Sequence, residues 1–183
     1  MWKPSCKSVY EHHDNNFVFK LTTGVPGGCF GDDEILPGVF KFKERCETRS
    51  HKLEIGKYIW SADVEMLSDE LLHAETFYFF QIHDGRKGRG KGSPANLCVK
   101  QGQICLCDFH HTGFSFENNI FNLRCEFVVK KAKVKCAYYL DNKFIGDTEN
   151  NLMRDSKPYV KFGAYRWNAV CDVEQIYRNV NLT

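Results

Sequence analysis

The sequence predicts an all-β fold, an antiparallel sandwich or jelly roll with one sheet face open as a binding surface. Three observations predict it. Apolar and polar residues alternate with period two over much of the chain. Clusters of Gly, Pro, Asn and Asp punctuate those runs. Only one short stretch has convincing helical character.

The runs, in order, are FVFKL at 17–21, VFKFKERCETR at 39–49, KYIWSADVEM at 57–66, ETFYFFQIH at 75–83, NLRCEFVVKKAKVKCAYYL at 122–140 and YVKFGAYRW at 159–167. VPGG, DGRKGRGKG, LDNKF and IGDTEN supply the turn chemistry between them. LSDELLHA at 67–74, with Ser68 as N-cap, is the one expected helix, about two turns long.

The chain has 183 residues and lacks repeats, low-complexity tracts and Pro/Ser linkers, so a single domain over 1–183 is expected. Lys and Arg number 25 against 23 Asp and Glu, a net charge of +2. That balance gives no reason to expect nucleic acid or an anionic membrane as partner, and a monomer is expected. No apolar run approaches membrane-spanning length, and the first twenty residues lack the apolar centre of a signal peptide. Nine cysteines leave at least one thiol without an intrachain partner, and the compartment stays open. Cys105 and Cys107, two apart in ICLCDFHH, are expected on one strand face; without a second ligand pair they do not make a zinc site.

Side-chain period two sorts the strands into faces. In VFKFKERCETR, Phe40, Phe42, Cys46 and Thr48 pack, while Arg45, Glu47 and Arg49 project together. In ETFYFFQIH, strict alternation puts Gln81 and His83 on a face with Phe77 and Phe79, and Tyr78, Phe80 and Ile82 on the other. In YVKFGAYRW, Val160, Phe162 and Ala164 pack; Tyr159, Lys161, Gly163, Tyr165 and Trp167 face away, with Gly163 leaving a gap for a ligand. The inventory lacks the paired strand carboxylates of a glycoside hydrolase and a nucleophile with its base. It does contain cations and an amide to hold a carboxylate, and His and Tyr to move protons. That set suits proton abstraction beside a carboxyl group.

Arg45-Cys46-Glu47-Thr48-Arg49, Gln81-Ile82-His83 and Tyr159-Val160-Lys161-Phe162-Gly163-Ala164-Tyr165 resemble, in order and type, the three signature strands of family 7 polysaccharide lyases, the alginate lyases. Their patterns are R-[ST]-E-L-R, Q-[IV]-H and Y-F-K-A-G-x-Y. The departures at Cys46, Thr48 and Phe162 fall on the packing face, and Arg166-Trp167-Asn168 stands where the family tends to have Asn-Gln after the tyrosine. The resemblance implies a concanavalin-like β-jelly roll with a concave substrate groove, acting outside the cell on a 1,4-linked uronic-acid polysaccharide, alginate first. The Q-I-H form implies guluronate-containing blocks.

The same resemblance implies roles. Arg49 and Gln81 bind and neutralise the uronate carboxyl group, His83 removes or helps to remove the C5 proton, and Tyr165 protonates the departing O4 oxygen. For the opposite C5 configuration Tyr165 does both. Arg45, Glu47, Lys161, Tyr159, Trp167 and Asn168 bind or order neighbouring sugars. From their own composition, Arg86, Lys87 and Arg89 in the glycine-rich loop DGRKGRGKGSPAN are expected to be either a basic flap that closes over the polyanion or a solvated hairpin tip. No metal or organic cofactor is implied. The alternatives are a lectin-like module binding an anionic glycan without cleaving it, or a lyase acting on glucuronan or another polyuronate.

Overall fold

A computed structural model of the chain describes residues 2–4, 10–21, 43–67, 76–85, 93–100, 102–107, 110–115, 119–152, 157–167 and 172–183. The described strands are β1 (Lys3–Pro4), β2 (Tyr10–His13), β3 (Asn16–Leu21), β4 (Lys43–Arg49), β5 (Gly56–Met66), β6 (Thr76–His83), β7 (Ala95–Lys100), β8 (Gln103–Leu106), β9 (His110–Ser115), β10 (Ile120–Val129), β11 (Lys133–Leu140), β12 (Lys143–Asn151), β13 (Tyr159–Trp167) and β14 (Val173–Leu182). They form two antiparallel sheets of seven strands. The first has the order β1-β4-β13-β6-β7-β8-β9, the second β12-β11-β10-β5-β14-β3-β2. The chain crosses between sheets from β4 to β5 to β6 and again from β13 to β14, which brings sequence-distant strands β4, β13 and β6 side by side.

Alternation gives each sheet an apolar inner face, and aromatic rings fill the space between. Phe162 of β13 is the hub: its ring meets Phe19, Trp60 and Tyr177 of the second sheet at 5.7, 5.5 and 5.1 Å. The residue that departs from the family pattern is therefore a core residue, as expected.

Several expectations change. The run 122–140 is two strands: Lys130 N–H donates to Lys133 O at 2.8 Å and closes a β10-β11 hairpin without glycine or proline. IGDTEN is strand, within β12; Gly146 (φ +145°) marks a register irregularity there, where a Cβ would lie 2.7 Å from Leu106 Cδ1. LDNKF is a turn: Asp141 (φ +48°) and Asn142 (φ +64°) are both left-handed, as a two-residue hairpin of this kind requires. Positions 39–42, the helix from 68 onward and most of the basic loop lie outside the described residues.

One irregularity governs the site. Between β6 and β7, Tyr78 faces Cys98 and Phe80 faces Leu97, so Phe79 is an extra residue. Against β13, the two-residue step from Phe80 to Tyr78 is matched by the three-residue step from Phe162 to Tyr165. A bulge moves every residue beyond it to the opposite face. Phe77, Phe79, Phe80 and Ile82 all enter the core, and Tyr78 emerges beside Tyr165. Strict alternation had placed Phe77 and Phe79 with Gln81 and His83; the bulge corrects this. From the second sheet, the fully buried Tyr177 spans the core to the irregularity. Its hydroxyl lies 3.2 Å from Phe79 O, 3.3 Å from Gly163 O and 3.0 Å from Gln175 Oε1. Burial pushes that phenol well above its ordinary pKa, so it remains a proton donor to these oxygens.

Candidate functional site

Strands β4, β13, β6 and β7 carry the candidate residues on the face of the first sheet turned away from the core. Register fixes their relations. Arg49 is opposite Lys161, Lys161 opposite Gln81, and Gln81 opposite Asn96. Tyr159 is opposite His83, and Arg45 is opposite Tyr165, which is opposite Tyr78.

Glu47 is the electrostatic centre. Its carboxylate accepts a hydrogen bond from Gln81 Nε2 at 2.9 Å through Oε1 and pairs with the Lys161 ammonium through Oε2. Glu47, Gln81 and Lys161 are 2%, 6% and 6% exposed. A carboxylate held this far from water needs such partners, because an uncompensated buried charge is costly. Glu47 thus orients the amide and the ammonium rather than serving a substrate directly.

Two groups flank this centre. On one side Arg49 lies over the Tyr159 ring, 5.4 Å from its centroid, and His83 stacks on Tyr159 at 5.2 Å with rings 10° from parallel. Burial raises the Tyr159 phenol, partly offset by the Arg49 guanidinium, so Tyr159 stays neutral. On the other side Arg45 lies 5.5 Å from the Tyr165 ring centroid, and Tyr78 stacks on Tyr165 at 4.6 Å. Cys98 and Cys105 complete the packing beneath these tyrosines. Tyr165 is four residues along β13 from Lys161, about 13 Å of strand. The arginine beside Tyr165 is therefore Arg45, whereas Arg49 meets Tyr159, the ring on which His83 stacks.

The His83 ring has a definite hydrogen-bond environment. Gly85 N–H donates to Nδ1 at 3.3 Å, while the Asp84 carboxylate is 3.7 Å from the same nitrogen, beyond hydrogen-bond range. The Gly85 contact suits a neutral ring protonated on Nε2, whereas the Asp84 carboxylate suits a ring that carries a proton on Nδ1.

The gap expected at Gly163 is occupied by the neighbouring strand. With φ +133°, a Cβ on Gly163 would lie 2.4 Å from Cys46 O and 2.8 Å from Glu47 Cα, so this glycine lets β4 approach rather than a ligand. The CLCDFHH segment also differs from expectation. Cys105 Sγ meets His111 Nδ1 at 3.3 Å, but Cys107, with φ +52°, turns to Pro94 O and Asn150. The two thiols do not share a face. Among the described residues no three His, Cys, Asp or Glu side chains are grouped to hold a metal ion.

Of the remaining expected site residues, Trp167 ends β13, opposite Lys43 and Thr76. Asn168, Arg86, Lys87 and Arg89 lie outside the described residues. Sequence reasoning missed Tyr78, because the bulge hides its face, and Asn96, a lone amide in the apolar strand ANLCVK.

No family model matches the sequence, and neither does any curated protein. Solved structures do match the fold. Alginate lyase A1-II′, a member of polysaccharide lyase family 7, superposes with a TM-score of 0.64 at 11% identity, over 100% of this chain and 93% of that one. Alginate lyase AlyC3 gives 0.61 at 15%, over 92% and 74%. An alginate lyase from Pseudomonas aeruginosa gives 0.61 at 11%, over 100% and 97%. The architecture is not confined to lyases, since part of a sialidase superposes at 0.52 and 8% identity, over 78% of this chain and 15% of that one. At such identities the likeness concerns architecture: the chain has the β-jelly-roll fold of these alginate lyases.

Proposed function

We propose that the protein is a polysaccharide lyase that cleaves a 1,4-linked uronic-acid polysaccharide, alginate in the first instance, by β-elimination. The observation that carries this reading is the Glu47-ordered pair of Gln81 and Lys161, flanked by Arg49 with His83 and by Arg45 with Tyr165 on one sheet face.

The chemistry follows from the substrate. The C5–H bond is next to a carboxylate, whose charge opposes formation of the enolate-like intermediate. Arg49, Gln81 and the Nε2–H of His83 provide donors for that carboxylate, a type of preorganised contact worth roughly 3–4 kcal/mol per well-placed donor. A base takes the C5 proton, the electron pair forms the C4=C5 double bond, and the C4–O4 bond breaks with protonation of O4. With Nδ1 facing the Gly85 N–H, we read His83 as a donor at Nε2, and this reading gives both proton transfers to Tyr165. Arg45 lies over the ring of that tyrosine and puts a cation beside the group that moves the protons. One residue acting at both C5 and O4 fits mannuronate, and a structure of AlyC3 with dimannuronate bound is among the solved folds of this kind. This departs from the guluronate preference implied by Gln-Ile-His.

The test is incubation with poly-mannuronate, poly-guluronate, mixed alginate and glucuronan, monitored by the far-UV absorbance of unsaturated uronide ends. Poly-mannuronate is expected to give the fastest rise. Tyr165→Phe is expected to abolish it, and His83→Ala to lower it about 10²-fold or more. Binding of these polymers without any absorbance change would make the protein a lectin-like module instead.

A further inference from the structure

Buried polar side chains are nearly always hydrogen-bonded, and one left without a partner is destabilising. Asn96 is such a group. It is the second residue of β7, between the fully buried Ala95 and Leu97, and is 3% exposed. Its Oδ1 meets no donor among the described residues. Its register partner is Gln81, so its side chain leaves the sheet on the face that holds Gln81, Lys161 and Arg49. These four residues form one line across four adjacent strands, about 15 Å long.

The chemistry of that line determines what Asn96 can recognise. Arg49 and Lys161 are cationic, and Gln81 is oriented through its Nε2 by Glu47. Such groups suit a carboxylate. A carbonyl oxygen repels a carboxylate and accepts from a hydroxyl, the other polar group that a uronate ring carries. An acceptor at the end of a row of donors therefore reads a different part of the same sugar.

We infer that Asn96 is a specificity-determining residue, its side-chain carbonyl accepting a hydrogen bond from a ring hydroxyl of a bound uronate unit. The inference rests on the polyuronate reading above and extends the site onto β7, where no signature motif lies. Blocking that hydroxyl leaves the amide unsatisfied in the complex, so the residue selects against substituted rings. A site that hydrogen-bonds a substrate hydroxyl rejects analogues lacking it more strongly than an apolar pocket does.

The experiment compares Asn96→Leu with its parent, both in a Tyr165→Phe background that prevents turnover. Titration calorimetry uses hexamannuronate and the same oligomer O-acetylated on its ring hydroxyls, and thermal unfolding is measured alongside. The parent is expected to prefer the free-hydroxyl oligomer. Asn96→Leu should bind that oligomer about tenfold more weakly, no longer distinguish the two, and melt at or above the parent temperature, because leucine removes the orphan. Equal dissociation constants for parent and variant overturn the Asn96 assignment and leave the lyase reading standing. Intact binding by the parent with no unsaturated product from the unmutated protein sinks the lyase reading alone; a parent that binds no polyuronate overturns both. If Asn96→Leu does not fold, Asn96→Ala carries the same binding comparison.

Discussion

Replacing Glu47 by glutamine tests the electrostatic centre directly. The substitution keeps the shape of the side chain but removes the charge that faces the Lys161 ammonium, at a place where the two residues are 2% and 6% exposed. Removing one member of a buried ion pair costs about 3–5 kcal/mol, since the other charge is left without compensation. For a domain of this size each kcal/mol lowers the melting temperature by roughly 2–4 °C, so Glu47→Gln should melt about 6–20 °C below the parent. Gln81 loses its charged acceptor at the same time, so turnover of poly-mannuronate should fall even well below the new melting temperature. The double variant Glu47→Gln/Lys161→Met removes both charges and should recover most of the lost stability, though not the activity. Differential scanning calorimetry of the parent, both single variants and the double variant closes the cycle. A Glu47→Gln protein melting within 2 °C of the parent, or a double variant no more stable than the single, would refute the claim that this pair is buried and coupled.

Three other perturbations probe the frame around the site. Gly163→Ala combines a backbone conformation that L residues resist with a Cβ 2.4 Å from Cys46 O, and should cost 3 kcal/mol or more, read as a melting-temperature drop of about 10 °C or as failure to fold. Tyr177→Phe removes the hydroxyl facing Phe79 O, Gly163 O and Gln175 Oε1, and should cost about 1–3 kcal/mol by denaturant unfolding; an unchanged midpoint would mean that these oxygens find other donors. Hydrogen bonds from Asn122 (2.9 Å) and Asn179 (2.7 Å) hold the Asp63 carboxyl below the ordinary carboxylate range. A depressed native pKa means that the unfolded chain takes up the proton first. The stabilisation is therefore complete above the unfolded pKa of about 3.9 and is lost as pH falls below it towards the native value. Asp63→Asn should flatten the acid limb of the stability curve below about pH 4 and leave its slope near pH 7 unchanged.

Much of this arrangement can be read from residue order, and the parts that cannot have a common physical cause. Alternation in β4 and β13 places Cys46 and Thr48 against the core and Arg45, Glu47, Arg49, Lys161 and Tyr165 away from it, because these two strands pair with each other without a register shift. Period-two reasoning fails in β6 after one extra residue, since each position beyond Phe79 changes face. Spacing alone also cannot say which arginine stands beside which aromatic ring. That depends on the stagger between β4, β13 and β6, which is a property of pairing and not of any one strand. The same limit explains Gly163: its sequence signature is a missing side chain, and only the neighbouring backbone shows what fills the space.

The bulge connects these observations into one design. Without the bulge at Phe79, strict alternation would carry Tyr78 into the core and present Phe79 towards Tyr165. With it, a tyrosine ring stacks on Tyr165, and the strand still delivers Gln81 to Glu47 at the other end. The irregularity interrupts the ladder at Phe79 on β6 and at Gly163 and Ala164 on β13, and the second sheet answers with Tyr177, whose hydroxyl reaches the carbonyl oxygens of Phe79 and Gly163. An interrupted ladder needs an outside partner if its carbonyls are to remain buried without penalty. The far sheet therefore does more than cover the core. Its tyrosine stabilises the irregularity that sets the relative placement of Tyr165 and the Gln81–Glu47–Lys161 centre, and in the proposed elimination that placement decides whether one phenol can serve both C5 and O4.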